Sequence, residues 1–365
     1  MIQQLLREWP PGYGGVERVA HALAEELGGA VFCLRPPQGA DPWPVGYPRW
    51  RLPSIAMGRL LWPLPSRILW ELLGSPQPLL AHLPCPTVLA LLLLARLLRP
   101  NRPIRVVWHA FVDPRPGLQG FWEHLYQAAA LRLVRGFPVC ATSPPLRQAL
   151  LEAGLPPGGL TWLACSLPPA TEAAYRAMAE QRSMRGPCGH VIAIGRLDSY
   201  KRIDWLLEAV ALCPAVNRLD VLGEGPQRPA LEALAQQLLA PHQRAFFHGR
   251  VSELRKRELL AQADVLVLPA DRCNEAFGIV QLEAMASGIP ALAFELPRSG
   301  MHWVSALPAC PWSGKPAHLP SALQLLLTDP ARHRLACQQA QQRYQEQFAS
   351  AIWRRRCRQV FATHG

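Results

Sequence analysis

Short apolar runs alternate along the chain with longer stretches in which apolar positions recur every three or four residues. In the first half, strands are predicted at Ile2 to Leu6, Ala30 to Leu34, Leu79 to His82, Ile104 to His109, Val139 to Thr142 and Thr161 to Leu163. Helices are predicted between them at Val19 to Leu27, Thr87 to Leu98 and Gly120 to Val134. The same rhythm restarts near Val191. Strands at Val191 to Ile194, Arg218 to Leu222, Ala245 to Phe247, Val265 to Leu268 and Pro290 to Phe294 alternate with helices at Ile203 to Leu212, Arg228 to Leu239, Ser252 to Gln262 and Gly278 to Ala286. Alternation of this kind predicts an α/β fold in which each half builds an open parallel sheet covered by helices.

Between the halves, Leu167 to Gly189 carries Pro168, Pro169, Gly186, Pro187 and Gly189 and lacks strand character, which predicts an interdomain connection. The expected organisation is an N-terminal domain at 1–168, a connection at 169–189, a second domain at 190–345 and a C-terminal helix at 346–365. A chain of 365 residues accommodates two such domains. Pro297 to Pro320 resolves into no elements, and Ser321 to Phe361 reads as helical.

Composition narrows the classes. The formal charge is +12, yet the arginines are scattered and no basic aromatic ribbon, zinc-finger spacing or RNA-binding signature occurs, so nucleic acid is not an expected partner. Ten dispersed cysteines without a CxxC pair point to reduced thiols in a cytosol rather than a metal or disulfide framework. Met1 to Trp9 reads as a first strand and not as a signal peptide. The most apolar stretch, Thr87 to Leu98, is too short to span a bilayer and reads as a buried helix. A cytoplasmic protein is expected.

Three loops at predicted strand ends carry candidate chemistry. Pro10 to Arg18 holds Gly14 and Gly15 before a helix, where glycine lets backbone approach a ligand, although a tight turn without a ligand would look the same. Arg196 and Lys201 share a loop in which two cations could grip a diphosphate. Lysine occurs only at Lys201, Lys256 and Lys315, so its presence there is not background. In Asn274 to Pro290, Glu275 precedes a helix that carries Glu283, and Phe277, Gly278 and Ile279 could bring backbone amides to a phosphate. Glu283 lies among Ile279, Leu282, Ala284 and Ala286, so a hydroxyl partner is expected for it.

Arg196 with Lys201, the Gly223-Glu224-Gly225-Pro226 turn, Phe247 to Val251 and the glutamates eight apart resemble the donor domain of retaining GT-B glycosyltransferases of glycosyltransferase family 4, the group 1 type. The resemblance is strong from Val191 to Phe294; in the first half it rests on Gly14 to Arg18 and Val107-Trp108-His109. It implies two Rossmann-like domains facing across a cleft, with the C-terminal helix packing back on the N-terminal domain. It also implies transfer of a sugar from a nucleotide-diphosphate donor to a glycan or lipid-linked acceptor with retention of configuration, in surface polysaccharide, lipopolysaccharide or glycolipid synthesis. By resemblance, Arg196 and Lys201 stabilise the departing diphosphate without a metal, Glu275 contacts the sugar and Glu283 the ribose. The backbone at Arg250 and Val251 meets the base, Gly14, Gly15, Phe277, Gly278 and Ile279 line the donor, and His109 faces the transferred sugar. His82 holds a similar strand-end position and reads as structural.

No DxD pair that could hold a divalent cation occurs, in keeping with a metal-free site. Past Phe294 the chain departs from the family pattern, reading Glu295 to Val304 in place of a glycine turn followed by a glutamate. A non-catalytic nucleotide-sugar-binding scaffold is the alternative reading, and the complete donor set counts against it. Met57 to Leu73 mixes Arg59, Arg67, Trp62 and Trp70 with leucines, which reads first as a core helix and second as peripheral contact with an anionic membrane at its inner face.

Overall fold

The computed structural model describes residues 1–12, 14–35, 44–58, 60–113, 115–182 and 186–362. Two compact units emerge, Met1–Ser166 together with Trp353–Gly365, and Leu167–Ile352.

The first unit runs β1 (Gln3–Leu6), α1 (Gly15–Leu27), β2 (Val31–Cys33), β3 (Arg49–Arg51), β4 (Ser54–Met57), β5 (Leu60–Pro63), α2 (Arg67–Gly74), β6 (Leu79–Leu83), α3 (Pro86–Leu98), β7 (Ile104–Trp108), α4 (Leu118–Val134), β8 (Val139–Ala141), α5 (Pro144–Glu152) and β9 (Leu160–Trp162). Its main sheet is parallel in the order β3-β2-β1-β6-β7-β8-β9. The central strands are buried on both faces and read as mainly apolar runs, with Gln3, Gln4, His82 and Arg105 as the polar exceptions. The expected α3 is present, with Val88, Leu89, Leu91, Leu92 and Ala95 buried. The expected core helix over Met57 to Leu73 is not. Ser54–Met57 and Leu60–Pro63 pair antiparallel as a hairpin, and only Arg67–Gly74 is helical. Pro63 and Pro65 stop a helix from forming earlier. Arg59, part of that expectation, lies outside the described residues.

The second unit runs α6 (Pro169–Arg182), β10 (His190–Ile194), α7 (Ile203–Ala211), β11 (Arg218–Leu222), α8 (Arg228–Leu238), β12 (Arg244–Gly249), α9 (Glu253–Gln262), β13 (Val265–Leu268), α10 (Val280–Ala286), β14 (Ala291–Ala293), α11 (Met301–Ser305), α12 (Leu319–Thr328) and α13 (Pro330–Gln347), before α14 (Ser350–Phe361) ends the described chain. The sheet is parallel in the order β12-β11-β10-β13-β14. From β10 the chain winds outward through β11 and β12, then crosses to β13 on the other side. Strand order therefore reverses between β10 and β13, and in open α/β sheets the crevice beyond the strand ends at such a point is where ligands bind.

Both units are thus Rossmann-like, as the motifs implied. Residues 169–189, expected as a connection, hold the helix α6. The C-terminal helix packs on the first unit: Trp353, Cys357 and Phe361, spaced four apart on one face, are buried against Leu23, Leu80, Val107 and Cys140. Trp353 Nε1 donates to the Ala164 carbonyl at 2.7 Å, and Arg358 pairs with Glu26 at 2.6 Å. Among the described residues no helix is long and apolar enough to cross a membrane.

Candidate active site

Glycine placement lets the loops after β10 and β11 interlock. The Leu197 amide donates to the Glu224 carbonyl at 3.0 Å, and the Gln227 amide donates back to the Leu197 carbonyl at 3.1 Å. A Cβ at Gly223 would stand 1.8 Å from the Gly195 carbonyl oxygen, and one at Gly225 would stand 2.4 Å from that of Leu197. Only glycine fits at either position, so the Gly223-Glu224-Gly225 turn acts as a brace that fixes the loop carrying Arg196 and Lys201.

Across the switch point, the loop after β13 is tied to the loop after β10. The Asp271 amide donates to the Tyr200 carbonyl at 2.9 Å, and Arg202 bridges Asp204 at 2.7 Å and Asp271 at 3.1 Å. Lys201 Nζ donates to Glu275 Oε2. Their side chains are 11% and 20% exposed, so the pair is shielded but reachable from the crevice. Burial works against the Lys201 charge, but Glu275, Tyr200 and Asp198 together outweigh it and hold the ammonium above its usual range. Glu275 is fixed from behind, since its carbonyl accepts from Ser299 Oγ at 2.7 Å. Lys201 and Glu275 are therefore brought together. Arg196 stands on the same loop with its side chain 76% exposed, paired with Asp198 at 3.2 Å.

Gly278 is required by both conformation and space. Its φ is +73°, and a Cβ would lie 2.3 Å from Leu268 Cδ2. Phe277 and Ile279 are buried beside it, and α10 that follows is only seven residues long.

Glu283 on α10 corrects one expectation. An ammonium faces it: Lys256 Nζ lies 3.0 Å from Glu283 Oε1 and 2.9 Å from Glu253 Oε2, with the Lys256 and Glu283 side chains 8% and 2% exposed. Lys256 belongs to the inward stripe of α9 with Leu259 and Leu260. Sequence reasoning missed it, although its scarcity as a lysine and its spacing from two buried leucines were both visible. Arg250 and Val251 follow Gly249 at the end of the edge strand β12. The Lys201–Glu275 and Lys256–Glu283 pairs are distinct.

In the first unit, Glu17 folds over the turn before α1. A Cβ at Gly14 would meet Glu17 Oε2 at 2.1 Å, so the glycine leaves room for that carboxylate, while Gly15 is exposed at the start of the helix. His109 follows β7 and is buried. Its Nε2 lies 2.8 Å from His82 Nδ1, and His82 Nε2 lies 2.9 Å from Gln4 Oε1. Burial lowers both imidazoles below their usual range, His109 to about 3, with His109 adding to the effect on His82. His82 was expected to be structural; here it contacts His109 directly. Gln4 was not foreseen. Among the described residues no three His, Cys, Asp or Glu side chains converge as a metal-binding group.

Residues 188–341 match the family model for glycosyl transferases group 1, and residues 13–165 match that for Glycosyltransferase Family 4. A GDP-mannose-dependent alpha-(1-6)-phosphatidylinositol dimannoside mannosyltransferase of Mycobacterium tuberculosis is 32% identical over 179 residues, covering 48% of this chain and 43% of the relative. A D-inositol 3-phosphate glycosyltransferase of Xylanimonas cellulosilytica is 33% identical over 129 residues, covering 34% and 30%. The matched stretch thus spans less than half the length of these curated relatives. Among solved structures, Anabaena HepE in complex with UDP and glucose superposes with a TM-score of 0.72 at 16% identity, covering 99% of both chains. Sucrose-phosphate synthase from Thermosynechococcus elongatus gives 0.70 at 21% identity, covering 99% of this chain and 98% of that one. These structures share the GT-B fold. With family models matching both of its halves, the chain belongs to the group 1 glycosyltransferases of glycosyltransferase family 4.

Proposed function

We propose that this protein is a metal-independent, retaining hexosyltransferase that moves a sugar from a nucleotide-diphosphate donor to a glycan or lipid-linked acceptor of surface polysaccharide, lipopolysaccharide or glycolipid synthesis. One observation carries the reading: a shielded, charged lysine at the sheet's switch point, joined to a carboxylate from the neighbouring loop. In the reaction the bond from the anomeric carbon to the diphosphate oxygen breaks, and the leaving group takes the electron pair. The acceptor hydroxyl oxygen bonds to that carbon and passes its proton to the departing diphosphate oxygen. Lys201 neutralises the charge that grows on the departing phosphate, with Arg196 as a second, exposed cation on the same loop. A fixed cation at that place does the work a divalent ion would do, so no metal is required. Glu275 accepts from sugar hydroxyls, Glu283 from the ribose, and the backbone at Arg250 and Val251 meets the base. Phe277, Gly278 and Ile279 border the donor, as do Gly14 and Gly15, and His109 meets the transferred sugar.

The mycobacterial relative is described as GDP-mannose-dependent, and the Anabaena structure holds UDP and glucose, so donors with both bases head the screen. Purified protein incubated with GDP-mannose or UDP-glucose and a glycolipid acceptor is expected to release nucleoside diphosphate at a rate unchanged by chelator, and the product linkage is expected to keep the donor's anomeric configuration. Loss of release with chelator defeats the metal-free mechanism. Donor binding without any release would instead support the non-catalytic scaffold.

The acceptor side of this reading is a membrane surface. Ile55, Met57 and Trp62 of the β4–β5 hairpin, Trp70 of α2, and Leu118, Phe121, Trp122 and Leu125 of α4 are all more than a third exposed. Arg67 and Arg115 accompany them, a mixture suited to the boundary of an anionic bilayer. The protein is expected to sediment with phosphatidylglycerol vesicles and not with phosphatidylcholine ones, and the Phe121→Ser/Trp122→Ser variant to remain in the supernatant. Equal sedimentation of variant and wild type would remove α4 from the contact.

A further inference from the structure

Gln4 sets the direction of hydrogen bonding through the buried chain that ends at His109. Its Nε2 donates to the Ala20 carbonyl at 3.1 Å, so Oε1 is the atom that faces His82 Nε2. Turning the amide over would set its oxygen against the Ala20 oxygen, two acceptors with no hydrogen between them. An amide oxygen only accepts, so His82 Nε2 carries the hydrogen. A neutral imidazole has a single N–H, which leaves His82 Nδ1 bare. The 2.8 Å contact from that nitrogen to His109 Nε2 then places a hydrogen on His109 Nε2. His82 and His109 are 2% and 7% exposed, an environment that disfavours the charged form of either ring. The one hydrogen of His109 therefore points inward, and no group among the described residues bonds its Nδ1.

We propose that Gln4 and His82 are positioning residues that hold His109 in its Nε2–H form, so that His109 meets a ligand only as an acceptor, through Nδ1, and selects a sugar hydroxyl over a phosphate. A phosphate oxygen offers no hydrogen and would be repelled by a bare ring nitrogen, whereas a hydroxyl donates to it. The ligand half of this inference rests on the transfer reading above; the hydrogen-bond chain does not.

Two-bond nitrogen–proton spectra of the 15N-labelled full chain at neutral pH test both halves, with His82→Gln and His109→Gln supplying the assignments. The expected pattern, in ligand-free protein, is a protonated Nε2 and a bare Nδ1 on both rings. Gln4→Leu removes the acceptor that fixes the direction and is expected to give mixed tautomers at both histidines. UDP-glucose or GDP-mannose is expected to move the His109 Nδ1 resonance. Gln4→Leu should raise the KM for that donor about tenfold with a smaller change in kcat, the size of one weakened hydrogen bond. A hydrogen on His109 Nδ1 in the wild type, or a single unchanged tautomer in Gln4→Leu, overturns the relay. The expected tautomers with an Nδ1 that no nucleotide sugar moves, and no nucleoside diphosphate released, overturn the hydroxyl role and the transfer reading under it while the relay stands.

Discussion

Replacing Lys201 with alanine is expected to slow nucleoside-diphosphate release about 100- to 1000-fold, the cost of losing one preorganised group that stabilises transition-state charge. The effect should fall chiefly on kcat, because charge on the leaving phosphate grows only as the bond breaks. Two consequences of the geometry add to each other. The cation disappears, and the Glu275 carboxylate it neutralised stays beside the diphosphate as an uncompensated negative charge. Lys201→Arg should rescue little of the loss. A guanidinium is a planar fork whose donors do not coincide with those of a compact ammonium, so it does not reproduce the contact that Lys201 makes with Glu275. A rate within threefold of wild type for Lys201→Ala would remove this residue from the chemistry.

The largest expected effect on stability belongs to Lys256→Met. In the Lys256–Glu283 pair of the second unit both side chains are under a tenth exposed. Taking away one member of a buried ion pair costs about 3–5 kcal/mol, because the remaining charge keeps its desolvation penalty and loses its counterion. For a unit of this size that corresponds to a fall in Tm of roughly 10 °C. The double variant Lys256→Met/Glu283→Gln removes the stranded charge as well and should recover most of the loss. Thermal or denaturant unfolding followed across the four proteins of this cycle gives the coupling directly. A loss below about 1 kcal/mol in Lys256→Met would mean that the pair contributes little, as many exposed ion pairs do.

Much of the fold was legible because strands buried on both faces are short and mainly apolar. Arg218–Leu222 and Val265–Leu268 were predicted to the residue, and most other strands to within one or two. Helices introduced by proline were harder. Pro168-Pro169 suggested a connection, yet Pro169 opens α6, and Pro144 opens α5 behind a Ser143 cap that accepts from the Leu146 amide. Proline is tolerated at the first helical position, where its missing N–H has no partner to lose, so the breaker signal pointed the wrong way. The Met57 to Leu73 stretch failed for the opposite reason. Its leucines and tryptophans satisfy a helical pattern in part, but Gly58, at φ +61°, turns the chain into a hairpin.

Within the site, loop position was readable and pairing was not. Lys201 and Glu275 could each be placed at a strand end, but only the sheet order sets β13 beside β10 and brings them into contact. The same limit hid Gln4, because β1 and β6 are neighbours in space while Gln4 and His82 stand 78 positions apart along the chain. Lys256 was visible as a rare lysine on an inward helical stripe, yet nothing local identified Glu283 as the group it faces.

The central claim is that the loops after β10 and β13 hold the diphosphate of a nucleotide sugar. A crystal structure of the protein with UDP or GDP bound tests it most directly. The account predicts phosphate oxygens within hydrogen-bonding distance of Lys201 Nζ, beyond the carboxyl ends of those two strands, with the ribose hydroxyls against Glu283. A nucleotide bound elsewhere, with the Lys201–Glu275 pair untouched, would contradict it.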